Sequence, residues 1–197
     1  HHAGRGGAGT VMGNKRVKAV VARGDPPEPG PELVALQEQY EAAYADHDTG
    51  RWQAAGGTYE TVDFANEVGI LSTRGWDDGQ FEGADEVGIE AVQEHAAGRE
   101  DDGDDPRGFR VETGDGESVP RGATAMSLGA GLGIDEFDAV ATLGETCNRL
   151  GLDLISAGSA VAWAIKAGDS ELIGRELAFG KPDDARTLLS EIATRET

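Results

Sequence analysis

Cysteine is almost missing from this 197-residue sequence, where Cys147 stands alone. One thiol closes no intrachain disulfide and supplies no four-cysteine zinc or iron-sulfur site. Lysine is scarce as well, limited to Lys15, Lys18, Lys166 and Lys181, so the 17 basic residues are mostly arginine and face 37 Asp and Glu. The resulting formal net charge of -20 argues against nucleic acid and anionic membrane surfaces as partners. No apolar run reaches the roughly 18 residues of a membrane-spanning helix, and no signal peptide or internal repeat is visible. Nor is there an initiating methionine. The sequence starts His1-His2 directly in front of a glycine-rich stretch, which reads as a cut within a longer protein in preference to a tag remnant.

What is present suffices for a hydrophobic core without disulfides, in one domain or slightly more. An acidic, lysine-poor surface rich in alanine and glycine suits concentrated salt, which screens self-repulsion, so the expected setting is a halophilic cytoplasm.

In chain order, AGRGGAG around Arg5, Gly6 and Gly7 reads as a Gly loop, followed by a β-branched strand from Val17 to Ala22. Such a loop lets backbone amides approach a phosphate that Arg5 could grip bidentately, or it is a plain surface loop. It matches neither the Walker nor the Rossmann pattern. DPPEPGP, residues 25 to 31, is a linker that continues neither strand nor helix. A helix from Glu32 to about Asp46 follows, with Pro31 at its first position and Leu33, Leu36, Tyr40 and Tyr44 along one face. Thr58 is the expected N-cap of a second helix through Val68, closed by Gly69. Trp76 and Phe81 are expected to pin the next loop to the core, and a helix spans Ala84 to Ala97. His47 and His95, near helix ends, read as solvated. Residues 98 to 116 form an acidic loop holding one short strand, Phe109 to Glu112, and the last amphipathic helix runs from Pro182 to Arg195 with Leu188, Leu189 and Ile192 inward.

The centre of the sequence is Gly131 to Lys166. Asp135 is placed to N-cap a helix whose apolar face is Phe137, Val140, Ala141, Leu143, Cys147 and Leu150. Gly151 can cap it in the left-handed conformation, Leu152 can plug the cap, and Asp153 can N-cap a second helix, Leu154 to Lys166. The corner offers Asn148 and Asp153 as acceptors, together with unpaired amides of a helix start. By spacing alone, a plain capped helix-turn-helix corner is the better reading.

The wording CNRLGLDLISAGSAVAWA resembles the pterin-contacting stretch of the tungsten-dependent aldehyde ferredoxin oxidoreductases, Asp-x-x-Gly-Leu-Asp or Cys ahead of a Thr-Ile-Ser-type helix. GRGGAGTVMGNKRVKAVVARG resembles the end of that family's N-terminal domain, and the Gly-Thr helix, the loop through Trp76 and the segment LGAGLGI also find counterparts, in family order. The resemblance implies a mainly α fold: the helical middle domain, 32 to 197, preceded by a linker, 25 to 31, and by the end of an N-terminal β domain, 1 to 24. It implies pterin contacts from Arg5, Gly6, Gly7, Asn148, Gly151, Leu152 and Asp153, with a tungsten or molybdenum bis-pterin as cofactor. A small aldehyde would be the substrate and ferredoxin the electron acceptor, with a homodimer left open. Three departures matter. Asn148 replaces an Asp and keeps an acceptor but loses charge. Ala123 stands where the family has its proton-transferring Glu, which leaves no catalytic residue. The acidic loop lacks the cysteines of the family's [4Fe-4S] site, so no metal ligand is assigned. A pterin-binding or structural paralogue without the redox relay, and a cofactor-free acidic helical module, are therefore carried as alternatives.

Overall fold

The computed structural model describes residues 7–25, 27–99, 108–114, 116–168 and 174–195. Contacts divide the chain into two units, His1–Gly50 and Arg51–Thr197.

In the first unit, α1 (Ala8–Asn14) begins after Gly7, whose φ of 75° is left-handed. The expected strand at Val17 to Ala22 does not form: the segment carries no regular structure, and Val20 and Val21 are largely exposed. A strand without a neighbour has no ladder in which to satisfy its amides, so β-branched composition alone does not hold it. Pro31 opens α2 (Pro31–Asp46) as expected, but Leu33, Leu36, Tyr40 and Tyr44 all remain exposed. His47 is more than a solvated residue, since its Nδ1 accepts the Thr49 amide (3.2 Å) at the start of α3 (Asp48–Gly56). The sequence of α3, with glycines at Gly50 and Gly56, gave no helical period.

The second unit holds the core. Its α4 (Glu60–Glu67) buries Val62 and Ala65, and Gly69 turns the chain at φ 76°. Thr58 does not N-cap α4; its hydroxyl accepts the amide of Gly122, 64 residues away, at 3.0 Å. Of the two aromatics expected to pin the following loop, only Phe81 is buried, whereas Trp76 stands 75% exposed. That loop is instead tied down by its backbone, through Arg74 N–H to Ala130 O (2.9 Å) and Gly75 N–H to Gly131 O (3.0 Å). The helix expected over Ala84 to Ala97 shrinks to α5 (Ile89–His95), because Gly88 is extended and the Asp63 carboxylate accepts the Ile89 amide (3.1 Å). Ala96 onward becomes β1 (Ala96–Arg99), paired antiparallel with β2 (Phe109–Thr113), which pairs with β3 (Gly116–Ser118). Register puts Val111 opposite Ala96 and Ser118, with a bulge between Ala96 and Gly98.

After the sheet the chain packs tightly through α6 (Gly122–Thr124), a π-helical turn at Ala125–Gly129 and a 3-10 turn at Ala130–Leu132. Against this spine lie α7 (Phe137–Leu150) and α8 (Leu154–Ala167), and α9 (Pro182–Thr194) packs on both helices. The expected face of α7 is buried, with Leu150 half-buried. Its N-cap is Glu136 and not Asp135, whose Cβ lies over Gly83 where a side chain on that glycine would clash. α8 comes so close to the π-helical turn that a Cβ on Gly158 would stand 2.5 Å from the Ser127 carbonyl. α9 turns Ala185, Leu188 and Leu189 inward. Among the described residues no single helix is long and apolar enough to cross a membrane.

Candidate cofactor site

The corner between α7 and α8 is built by its sequence. At Gly151 the backbone turns left-handed, φ 72° and ψ 28°, a conformation that costs other residues about 1–2 kcal/mol. The Gly151 amide donates to Asn148 O (3.1 Å) and the Leu152 amide to Cys147 O (2.9 Å). These are the paired bonds of a Schellman end, in which two otherwise orphaned carbonyls find donors. Leu152, half-buried, packs against the core beside Leu150 and Leu154 and completes the motif with its apolar contact. Asp153 then starts α8: its Oδ2 accepts the Ser156 amide at 2.9 Å and the Ser156 hydroxyl at 2.7 Å. α8 leaves at 111° to α7.

The structure therefore brings Asn148, Gly151, Leu152 and Asp153 to one corner. Asn148 and Gly151 are exposed, and nothing lies within 4 Å of where a Cβ on Gly151 would stand, so the backbone there is open to a flat ligand. Arg5 and Gly6 lie outside the described residues. Gly7 belongs to the first unit, as the residue before α1.

A model of the family described as "Aldehyde ferredoxin oxidoreductase, domains 2 & 3" matches residues 35–197, most of the chain. The chain belongs to the aldehyde ferredoxin oxidoreductase family. It is 29% identical over 213 residues to the tungsten-containing aldehyde ferredoxin oxidoreductase of Pyrococcus abyssi, and equally to that of Pyrococcus horikoshii. To the Pyrococcus furiosus protein of the same name it is 28% identical over 214 residues. Each match takes in 98% of this chain and 35% of the relative, so the chain spans about a third of the length of these curated relatives.

Two of the departures expected from the sequence fall on Cys147 and Ala123. Cys147 is fully buried, and its thiol is pushed up to about 11, first by that burial and then by the negative charge of Asp153. A buried neutral thiol makes a poor metal ligand and cannot alone hold a [4Fe-4S] cluster. Around Ala123 the backbone is fixed by Gly122 N–H to Thr58 Oγ1 and by Arg121 N–H to Thr124 Oγ1 (3.1 Å). A Cβ on Gly122 would run into the Thr58 carbonyl, so this close approach tolerates only glycine. Ala123 itself carries no group able to move a proton.

The sequence also gave no hint of a groove of about 460 Å³ lined by Asp85, Glu86, Glu90, Glu94, Asp135 and Asp138, with His95 in its wall. His95 is not simply solvated: its ring stacks on Phe137 at 4.5 Å and its Nδ1 lies 2.8 Å from Ala91 O. Only the partnership of α5 with the start of α7 reveals it, and no local spacing encodes that. Among the described residues, no group of three or more His, Cys, Asp or Glu converges in a way that could hold a metal ion.

Proposed function

We propose that this chain supplies one wall of a site for a tungsten or molybdenum bis-pterin, in a protein of aldehyde ferredoxin oxidoreductase type. Residues 32–197 act as its helical middle domain, 1–24 as the end of a preceding domain and 25–31 as the linker. The observation that carries the reading is the coincidence of the family's Gly-Leu-Asp wording with an open, rigid corner at Gly151 and Asp153. The donor set fits the ring. Asn148 offers a carboxamide oxygen and NH2, Asp153 a carboxylate, and the first turn of α8 its backbone amides, which complement the alternating donors and acceptors of a pterin. Arg5, Gly6 and Gly7 would hold the phosphate end of the cofactor.

When bound, such a metal centre supplies the oxidation of an aldehyde with water to a carboxylic acid, releasing two protons and two electrons, the electrons going to ferredoxin. This chain's own residues bind and orient, and Ala123, at the position that the resemblance gives to a proton-transferring Glu, carries no proton. Ala123 and the buried Cys147 favour a second reading, a pterin-binding paralogue without turnover. The setting proposed is a salt-rich cytoplasm, consistent with the net charge of -20. Metal and pterin analysis of the purified protein that contains this chain separates the readings. Tungsten or molybdenum with iron supports the oxidoreductase, and either metal without iron supports the paralogue. Absence of pterin and of both metals would overturn the proposal.

A further inference from the structure

We infer that the small cavity lined by Tyr59, Phe109 and Arg121 is a site for a small oxyanion, a carboxylate or a phosphate, which accepts hydrogen bonds from the Arg121 guanidinium and the Tyr59 hydroxyl. None of these residues belongs to the α7–α8 corner, so the inference stands apart from the pterin reading. It starts from an orphan: Tyr59 is 2% exposed, and its hydroxyl is buried without a hydrogen-bond partner among the described residues. Leaving a buried polar group unpaired is costly, and nearly all such groups in native proteins have a partner, so this hydroxyl calls for a group that completes it. Burial also pushes the phenol above its ordinary titration range, which keeps it a donor. Tyr59 lines a cavity of about 70 Å³, room for a group of a few heavy atoms. The rest of the lining gives protons as well. Arg121 lies across Gly108, where a Cβ would run into its Nη1, so glycine there leaves the guanidinium its place. Arg121 has a further interaction within the chain, but a guanidinium carries five N–H donors and no acceptor, and its fork matches the paired oxygens of an oxyanion. The Thr58 hydroxyl accepts the Gly122 amide at 3.0 Å and keeps its own proton to give. No lining residue is acidic, in a chain with 37 Asp and Glu, so a cation would meet the guanidinium charge and no carboxylate. The opposing charge is Glu60, whose carboxylate occupies the space that a Cβ on the lining residue Gly56 would need. It favours a singly charged anion over a doubly charged one.

The test is an NMR titration of the 197-residue chain with acetate and, in a parallel arm, with phosphate. Ionic strength is held constant with KCl, so that screening of the net charge of -20 does not vary. Saturable shifts are expected at the amides of Thr58, Tyr59, Phe109 and Arg121; saturation by acetate assigns a carboxylate, and saturation by phosphate alone assigns a phosphate. Arg121→Gln should weaken that binding about tenfold or more, and Arg121→Lys, which keeps the charge without the fork, about threefold or more. Tyr59→Phe should weaken it about three- to tenfold, while the urea midpoint of the ligand-free protein stays equal or rises because the orphaned hydroxyl is gone. Unchanged affinity in Tyr59→Phe or in Arg121→Gln overturns the inference. So does a folded wild type whose four amides do not move with either oxyanion, or move equally with chloride. Should Arg121→Gln unfold, Arg121→Lys and Tyr59→Phe decide the matter by the same criteria.

Discussion

At the scale of single residues, the α7–α8 corner divides its labour between Cys147, Asn148 and Asp153. Cys147 is a packing residue. Its thiol is held protonated up to about 11 in the folded protein, against 9.0 unperturbed. The unfolded chain ionises first as pH rises, so stability from this residue is whole below pH 9 and is lost as pH climbs through about 11. Urea melts from pH 8 to 11 should show that loss in wild type and a shallower one in Cys147→Ala. Parallel slopes would mean the thiol is not sequestered. Asp153 caps α8, and the proposed function would give it a second, separable role at the pterin. Asp153→Asn keeps a good cap and should melt within a few tenths of a kcal/mol of wild type, whereas Asp153→Ala should lose about 1 kcal/mol. Binding of free pterin should nonetheless weaken by about tenfold in Asp153→Asn, more than in Asn148→Ala, since a charged acceptor is lost in the first case and a neutral one in the second. Equal affinity in wild type and Asp153→Asn would leave the cap as the only role of Asp153.

At the scale of elements, legibility followed how local the cause is. The apolar periods of α7, α8 and α9 and the caps at Gly151 and Asp153 are local, and the sequence therefore announced them, down to Gly151 at φ 72°, whereas the N-cap of α7 fell to Glu136 and not to Asp135. Where the cause lies elsewhere in the chain, reading failed. Asp63 caps α5 from α4, which explains why that helix begins at Ile89 and not at Ala84. Thr58 answers the Gly122 amide and not its own helix. Val17 to Ala22 has strand composition but no partner strand among the described residues. Two expectations belong here. Gly158→Ala should destabilise by about 1–3 kcal/mol in urea melts, because its Cβ would stand 2.5 Å from the Ser127 carbonyl and force α8 off the π-helical turn. A neutral or stabilising result, as alanine's helix propensity alone would give, would deny that contact. In α2, no residue is buried, and an isolated helix of 16 residues is marginal in water. Its amides should exchange orders of magnitude faster than those of α7, whose face is buried; equal protection would show that α2 is packed in solution.

At the scale of the whole molecule, a net charge of -20 on 197 residues makes self-repulsion a standing cost of the compact state. Raising KCl from about 0.1 to 2 M shortens the screening length from about 10 Å to less than 3 Å and should raise the urea midpoint. A flat or falling midpoint would remove the argument for a salt-rich setting. The charge also bounds the partners, since an acidic surface leaves cofactor, substrate and protein contacts as the routes to function and makes polyanions poor ligands. The chain covers 35% of its tungsten-containing relatives, and the proposed function rests on the corner where α7 and α8 meet at 111°. Mapping that corner is the most direct test: amide chemical shifts of the 197-residue chain followed by NMR while free pterin is added. The account predicts shifts concentrated at Asn148, Gly151, Leu152 and Asp153 and in the first turn of α8, with the groove around His95 unmoved. Shifts centred on that groove, or none at millimolar pterin, would contradict it.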